Sequence, residues 1–152
     1  GLAGQFNARL AYTYLIDAYT IPLPGSDKDQ DKGEIGGAEN KFYLSLGYSC
    51  EDLTVAWNTT FIGESYLDDQ FLSGYDLAPE SVGVGSVTYH DLNIAYRPWD
   101  MAEFYIGANN LFDQEPPKII TGLPSSDTGT ETDAGTYDAI GRRYYAGVRL
   151  KF

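Results

Sequence analysis

The last nine residues, Tyr144 to Phe152, alternate apolar and polar side chains without a break and end on an aromatic residue. Side chains of a strand alternate between its two faces. Tyr144, Ala146, Val148, Leu150 and Phe152 therefore share one face, and Tyr145, Gly147, Arg149 and Lys151 share the other. Residues 142–152 read as a strand with one apolar and one charged face.

Five earlier segments repeat the pattern. Residues 5–16 set Phe6, Ala8, Leu10, Tyr12, Tyr14 and Ile16 against Asn7, Arg9, Ala11 and Thr13. Residues 41–50 set Phe42, Leu44, Leu46 and Tyr48 against Tyr43, Ser45, Gly47 and Ser49. Only Glu51 and Asp52 separate these from residues 53–62, where Leu53, Val55, Trp57 and Phe61 alternate with Thr54, Asn58 and Thr60, so the two segments form a hairpin by loop length. Residues 88–97 and 102–109 carry Leu92, Ile94 and Tyr96, then Phe104, Ile106 and Ala108, on one face. Asp91, Asn93, Arg97, Glu103, Tyr105, Gly107 and Asn109 lie on the other.

The connections alternate strictly. Those after the second and fourth strands are a few residues long, whereas those after the first, third and fifth run to roughly two or three dozen, far beyond the usual loop. Short turns on one side and long loops on the other are the habit of an up-and-down transmembrane β-barrel of the outer-membrane type. Aromatic residues agree: Phe6, Tyr48, Tyr96, Trp99, Phe104 and Phe152 fall near the short turns, and Tyr14, Phe42, Phe61 and Tyr144 fall at the opposite ends. The expected fold is all-β and antiparallel, with the first strand running outward and the sixth running back toward the periplasm. A charge facing lipid at midplane costs about 2 to 4 kcal/mol, so Arg9, Arg97, Glu103, Arg149 and Lys151 are expected to line the lumen.

Composition removes other classes. No run of residues approaches the roughly 18 apolar positions of a membrane helix. Ten Lys and Arg stand against twenty-two Asp and Glu, a net charge of -12, which disfavours nucleic acid as a partner. One cysteine, Cys50, and one histidine, His90, leave no internal disulfide, no cysteine- or multi-histidine metal cluster and little basis for catalysis, so no enzyme is expected. Most of the acids sit in the long loops, which places the negative charge outside the cell. Gly1 to Phe6 shows no basic or apolar leader, so a leader has been removed or the chain begins within a larger protein.

The segment Gly107, Ala108, Asn109, Asn110, Leu111, Phe112, Asp113, Gln114, Glu115, Pro116, Pro117, followed by Tyr137 to Tyr145 and the Phe-terminated strand, resembles the C-terminal end of TonB-dependent outer-membrane receptors. The resemblance is strong over residues 88–152 and loose over the rest. It implies a barrel of about 22 strands filled by a plug, of which residues 1–152 are the last six strands. It further implies a bacterial outer-membrane location and import of a scarce small nutrient, such as a siderophore or a carbohydrate, driven through the TonB complex. On the same resemblance, Asn109, Asn110, Leu111, Phe112 and Asp113 are the motif at the outer end of the penultimate strand. Tyr144, Ala146, Val148, Leu150 and Phe152 are the signal read by the barrel-assembly machinery. Partners implied are outer-membrane lipid, the remainder of the receptor with its plug, the TonB complex and the nutrient.

Six strands are too few to close a lipid-exposed barrel, for which about eight is the lower limit. The two sheet edges are therefore expected to pair with parts outside this chain. A small complete barrel would need two more strands, hinted at only by Val82 to Val87 and Lys118 to Gly122. The rival class is a soluble β-sandwich module binding carbohydrate with calcium, since sandwich strands alternate in the same way. No cofactor is required on the barrel reading. Asp27, Asp29 and Asp31 before Gly33 invite calcium, but the spacing misses the EF-hand pattern by one residue, and acidic loops are usually only solvated. Tyr66, Asp68, Asp69 and Tyr75 form a candidate ligand surface for stacking on and hydrogen-bonding a sugar or a metal chelate.

Overall fold

A computed structural model of the chain describes residues 4–74, 76, 78, 82–119 and 132–152. In chain order the elements are β1 (Gln5–Tyr14), β2 (Tyr19–Thr20), β3 (Asp29–Gln30), β4 (Asn40–Cys50), β5 (Leu53–Ile62), β6 (Ser65–Tyr66), α1 (Asp69–Ser73), β7 (Gly83–Val84), β8 (Val87–Trp99), β9 (Ala102–Asn109) and β10 (Arg143–Leu150). The fold is all-β. Six long strands form one antiparallel sheet in the order β1-β4-β5-β8-β9-β10, each beside its neighbour in sequence. The sheet is open, because β1 and β10 each pair on one side only.

Four of the six long strands differ from their expected bounds, β4 by one residue at its start. β1 stops at Tyr14 rather than at residue 16, because Tyr14 faces Asn40, the first residue of β4; beyond it only the Leu15 N–H reaches across, to the Glu39 carbonyl. β10 spans Arg143–Leu150 rather than residues 142–152, because Leu150 faces Ala102 at the start of β9. β8 is longer than residues 88–97: a register shift between Tyr96 and Trp99 absorbs Pro98, and Trp99 faces Ala102. Such a bulge accommodates a proline, which has no N–H to give to a ladder. The hint at residues 82–87 resolves into the two-residue β7 and the start of β8; Lys118 and Ile119 are not strand, and residues 120–122 lie outside the described ones.

The register carries two chemically opposite faces across all six strands. One holds Phe6, Leu10, Tyr12 and Tyr14 of β1, Phe42 to Tyr48 of β4, Val55, Trp57 and Phe61 of β5, Leu92, Ile94 and Tyr96 of β8, Phe104 and Ile106 of β9, and Tyr144 to Leu150 of β10, at alternate positions. No Asp, Glu, Lys or Arg of these strands lies on it. Nothing among the described residues covers it over the outer strands, so Leu10, Ile106 and Val148 are 66%, 58% and 54% exposed.

The buried core sits elsewhere. Ala38, Leu67, Leu72, Val84, Ile119 and Tyr137 come from the long connections and cluster with Ile62, Val87 and Tyr89, which the register places on the polar face at the long-loop end. The hydroxyls of Ser65 and Tyr137 hydrogen-bond at 3.1 Å, and the Asp138 N–H donates to the Tyr89 hydroxyl. The loops thus fold into a cap over one end of the polar face.

Candidate functional site

Tight packing organises the polar face. At the β9–β10 pair, Gly107 faces Tyr145 and Gly147 faces Tyr105, so each glycine leaves space for a tyrosine ring laid across the neighbouring strand. A Cβ on Gly107 would lie 2.2 Å from Tyr145 Cζ, and one on Gly147 would lie 2.3 Å from the Tyr105 hydroxyl. The two rings are 6.4 Å apart. Aromatic cover of a strand glycine compensates for its missing side chain and fixes register.

At the short-turn end of this face Glu103 accepts hydrogen bonds from both Arg97 and Arg149, each at 2.5 Å. Its side chain is 14% exposed, while those of the arginines are 60% and 72% exposed. The alternation that assigned Arg97, Glu103 and Arg149 to one face thus brings them into contact. Arg9 lies on the same face opposite Ser45, and Lys151 extends it past β10 with its N–H on the Met101 carbonyl.

The 109–113 segment forms the turn that ends β9. Asn110 is 1% exposed and has φ +50°, a left-handed conformation that Asn tolerates better than most residues. Its side chain closes the turn on itself: Oδ1 accepts from Gln114 N–H at 2.8 Å and Nδ2 donates to the Gln114 carbonyl at 3.0 Å. Its own N–H donates to Asp91 Oδ1, and the Leu111 N–H donates to the His90 carbonyl. Asp113, also left-handed, accepts the Arg142 N–H and pairs with its guanidinium at 3.5 Å, which ties the turn to the start of β10. Phe112 is thrown back over the apolar face, its ring 5.3 Å from His90 and 6.0 Å from Trp57. His90 lies on that face, Nδ1 at 3.0 Å from the Thr59 hydroxyl, and Cys50 is half-buried beside the first short turn.

Of Asp27, Asp29 and Asp31, the residues expected for calcium, the structure brings only Asp29 into a group of three carboxylates. The Asp31 carboxylate accepts from the Thr20 hydroxyl at 2.8 Å, and Asp29 gathers instead with Glu34 and Asp69, carboxylate oxygens within 4.8 Å of one another. Loop packing rather than sequence spacing selects the trio, because Asp69 comes from the second long connection. Burial raises the Asp29 carboxyl above the usual range, with further repulsion from Asp68, Asp69 and Asp31. Burial likewise raises Glu34, the charges of Asp68, Asp69 and Asp29 adding to it.

The expected ligand surface at Tyr66, Asp68, Asp69 and Tyr75 is also rearranged. Tyr66 is half-buried, its ring packed over Gly33 and Gly83, and Asp69 gives its N–H to Glu34 Oε1 at 2.9 Å. Asp68 remains exposed, and Tyr75 lies outside the described residues.

A more open feature lies under the loop cap. A recess of about 450 Å³ is walled by Thr60, Tyr89, Asp91, Asn109 and Arg143 of the polar face and by residues 134–140 above them. A second, of about 400 Å³, is walled by Thr13, Lys41 and Tyr43 with Gly36 and Gly135, and Thr60, Ile62 and Thr136 belong to both. Alternation places Asp91 and Asn109 on the polar face, but their meeting with Asp138 and Thr136 depends on how the third loop folds back. Comparison with known protein families, characterised proteins and solved structures finds no match to this chain.

Proposed function

We propose that this chain is part of the wall of a transmembrane β-barrel, the C-terminal six strands of an energy-coupled outer-membrane receptor that imports a scarce nutrient. The carrying observation is the apolar face: six strands wide, free of Asp, Glu, Lys and Arg, and exposed over its outer strands, with the charged side chains of the six strands confined to the reverse face. Lipid is the solvent that such a face matches. From Phe6 to Tyr14 the strand runs about 26 Å at ~3.3 Å per residue, or about 20 Å in height at a ~40° tilt, near the ~25 Å apolar band of outer-membrane barrels. Unpaired edges at β1 and β10 supply the second support. A backbone edge in lipid is untenable, so both edges require further strands of the same receptor.

A soluble sandwich needs a second sheet packed about 10 Å above the apolar face. Among the described residues the only other sheets are the two-stranded pairs β2–β3 and β6–β7 in the loops. Energy coupling to the TonB complex and the import role rest on the sequence resemblance, and the reading needs no cofactor or catalytic group.

Fractionation of cells producing the whole protein tests the proposal. It predicts recovery in the outer membrane, extraction only by detergent and a folded form whose gel mobility shifts on boiling. Removing Phe152 should lower the folded fraction severalfold, and ligand uptake should cease when the TonB complex is deleted. Recovery as a soluble monomer after osmotic shock sinks the proposal.

A further inference from the structure

We infer that the two adjoining recesses beneath the loop cap form a binding site for an uncharged oligosaccharide of two or three sugar units. This inference rests on the reading of the sheet as a receptor wall and adds the class of ligand. Their volumes, about 450 and about 400 Å³, are each within the ~300–1,000 Å³ of small-molecule sites.

The charges of the recesses cancel, Asp91 and Asp138 against Lys41 and Arg143. All four are engaged within the protein, Asp91 by accepting the Asn110 N–H at 2.9 Å. Arg143 holds Asp138 through two parallel contacts at 3.2 and 3.3 Å, and Lys41 Nζ donates to the Gly36 carbonyl at 2.7 Å. An anionic ligand would meet Asp91 and a chain of net charge -12. A cationic ligand would meet Lys41 and Arg143.

What the recesses leave open is neutral and two-sided. The hydroxyls of Thr13, Tyr43, Thr60 and Thr136 and the Asn109 carboxamide have no side-chain partner among the described residues. Each group both donates and accepts, which matches sugar hydroxyls, themselves donors and acceptors. Tyr43 also presents a ring 41% exposed on the polar face, a surface for stacking on the apolar side of a sugar. Thr60 and Thr136 belong to both recesses, so one ligand spanning the two would pass between them.

Titration calorimetry on the whole receptor in detergent decides the matter, using matched neutral and charged trisaccharides: triacetylchitotriose with its deacetylated amine form, and methyl-esterified trigalacturonate with its free acid. Maltotriose and cellotriose complete the neutral set. We expect millimolar or tighter binding of at least one neutral trimer, with any charged counterpart at least ten times weaker. Thr60→Val, which keeps the side-chain shape, should weaken that binding roughly 3- to 10-fold, and Tyr43→Leu about tenfold. Absence of binding by every neutral trimer, tighter binding of a charged form, or unchanged affinity in both variants overturns the inference. A receptor found in the outer membrane that fails these titrations loses only its ligand class, whereas a soluble protein loses the wall reading itself.

Discussion

Replacing Asn110 isolates what the 109–113 turn contributes. Asn110→Ala removes two side-chain hydrogen bonds to Gln114 in a site that is 1% exposed, and it puts alanine at φ +50°. Each lost bond costs about 1 kcal/mol. The left-handed backbone adds ~1 kcal/mol for a residue with a Cβ and no local hydrogen bond to offset it. The expected loss is about 3 kcal/mol. Asn110→Gly keeps the backbone freedom and loses both bonds, so about 2 kcal/mol is expected; Asn110→Asp keeps the acceptor but turns a carboxylate oxygen on the Gln114 carbonyl in a buried site, so it should lose at least as much as alanine. The Asn110 N–H bond to Asp91 survives all three changes, since it belongs to the main chain. Equilibrium denaturation of the receptor in detergent reads the series. Trp57 fluorescence is a local reporter, because Phe112 in the same turn lies 6.0 Å from that indole. An alanine variant within about 0.5 kcal/mol of wild type, or a glycine variant worse than alanine, would refute the assignment of the turn's stability to the Asn110 side chain.

Further outcomes follow from the polar face and the loops. Gly107→Val drives a Cβ into the Tyr145 ring and should destabilise by about 1 to 3 kcal/mol, with Tyr145→Ala in the same chain recovering part of the loss in a double-mutant cycle. Glu103→Gln leaves Arg97 and Arg149 facing each other without their shared acceptor charge. Because both arginines are well exposed, the expected cost is small and shrinks as salt is raised, and an unchanged cost in high salt contradicts an electrostatic origin. Asp29 and Glu34 have carboxyls raised in the folded loops, so the folded state binds protons more tightly than the unfolded one. Loop stability therefore falls as pH rises from the ordinary carboxylate range through the raised values, and recovers as pH falls. Glu34→Gln should raise the resistance of the loops to limited proteolysis at pH 7 and leave it unaltered near pH 4; the reverse order refutes the sign.

Period-two patterning was enough to find the six long strands and to sort their side chains, because alternation is a property of the extended chain itself. It placed Arg97, Glu103 and Arg149 on one face and His90 on the other. It could not show that Glu103 takes both arginines, for Arg149 stands opposite it in the β9–β10 register while Arg97 comes from the bulged end of β8. The short strands β2, β3 and β6 escaped it, and β7 was only hinted at, as two residues carry no period. In the acidic loops spacing did not reveal which carboxylates meet, for Asp29 lies with Glu34 and an Asp69 forty positions away.

The sequence by itself determined where the six long strands lie, which face their side chains take and where the long and short connections fall, all consequences of chain geometry and solvation acting within a few residues. Only the tertiary structure decided the rest. It laid the strands side by side in an open sheet, seated each glycine under its tyrosine, and folded three distant loops into a cap over the polar face. Those arrangements depend on volume and hydrogen-bond complementarity between segments dozens of residues apart, which no local pattern encodes. The recesses that bring Tyr43, Thr60, Asn109 and Thr136 together belong wholly to that second class.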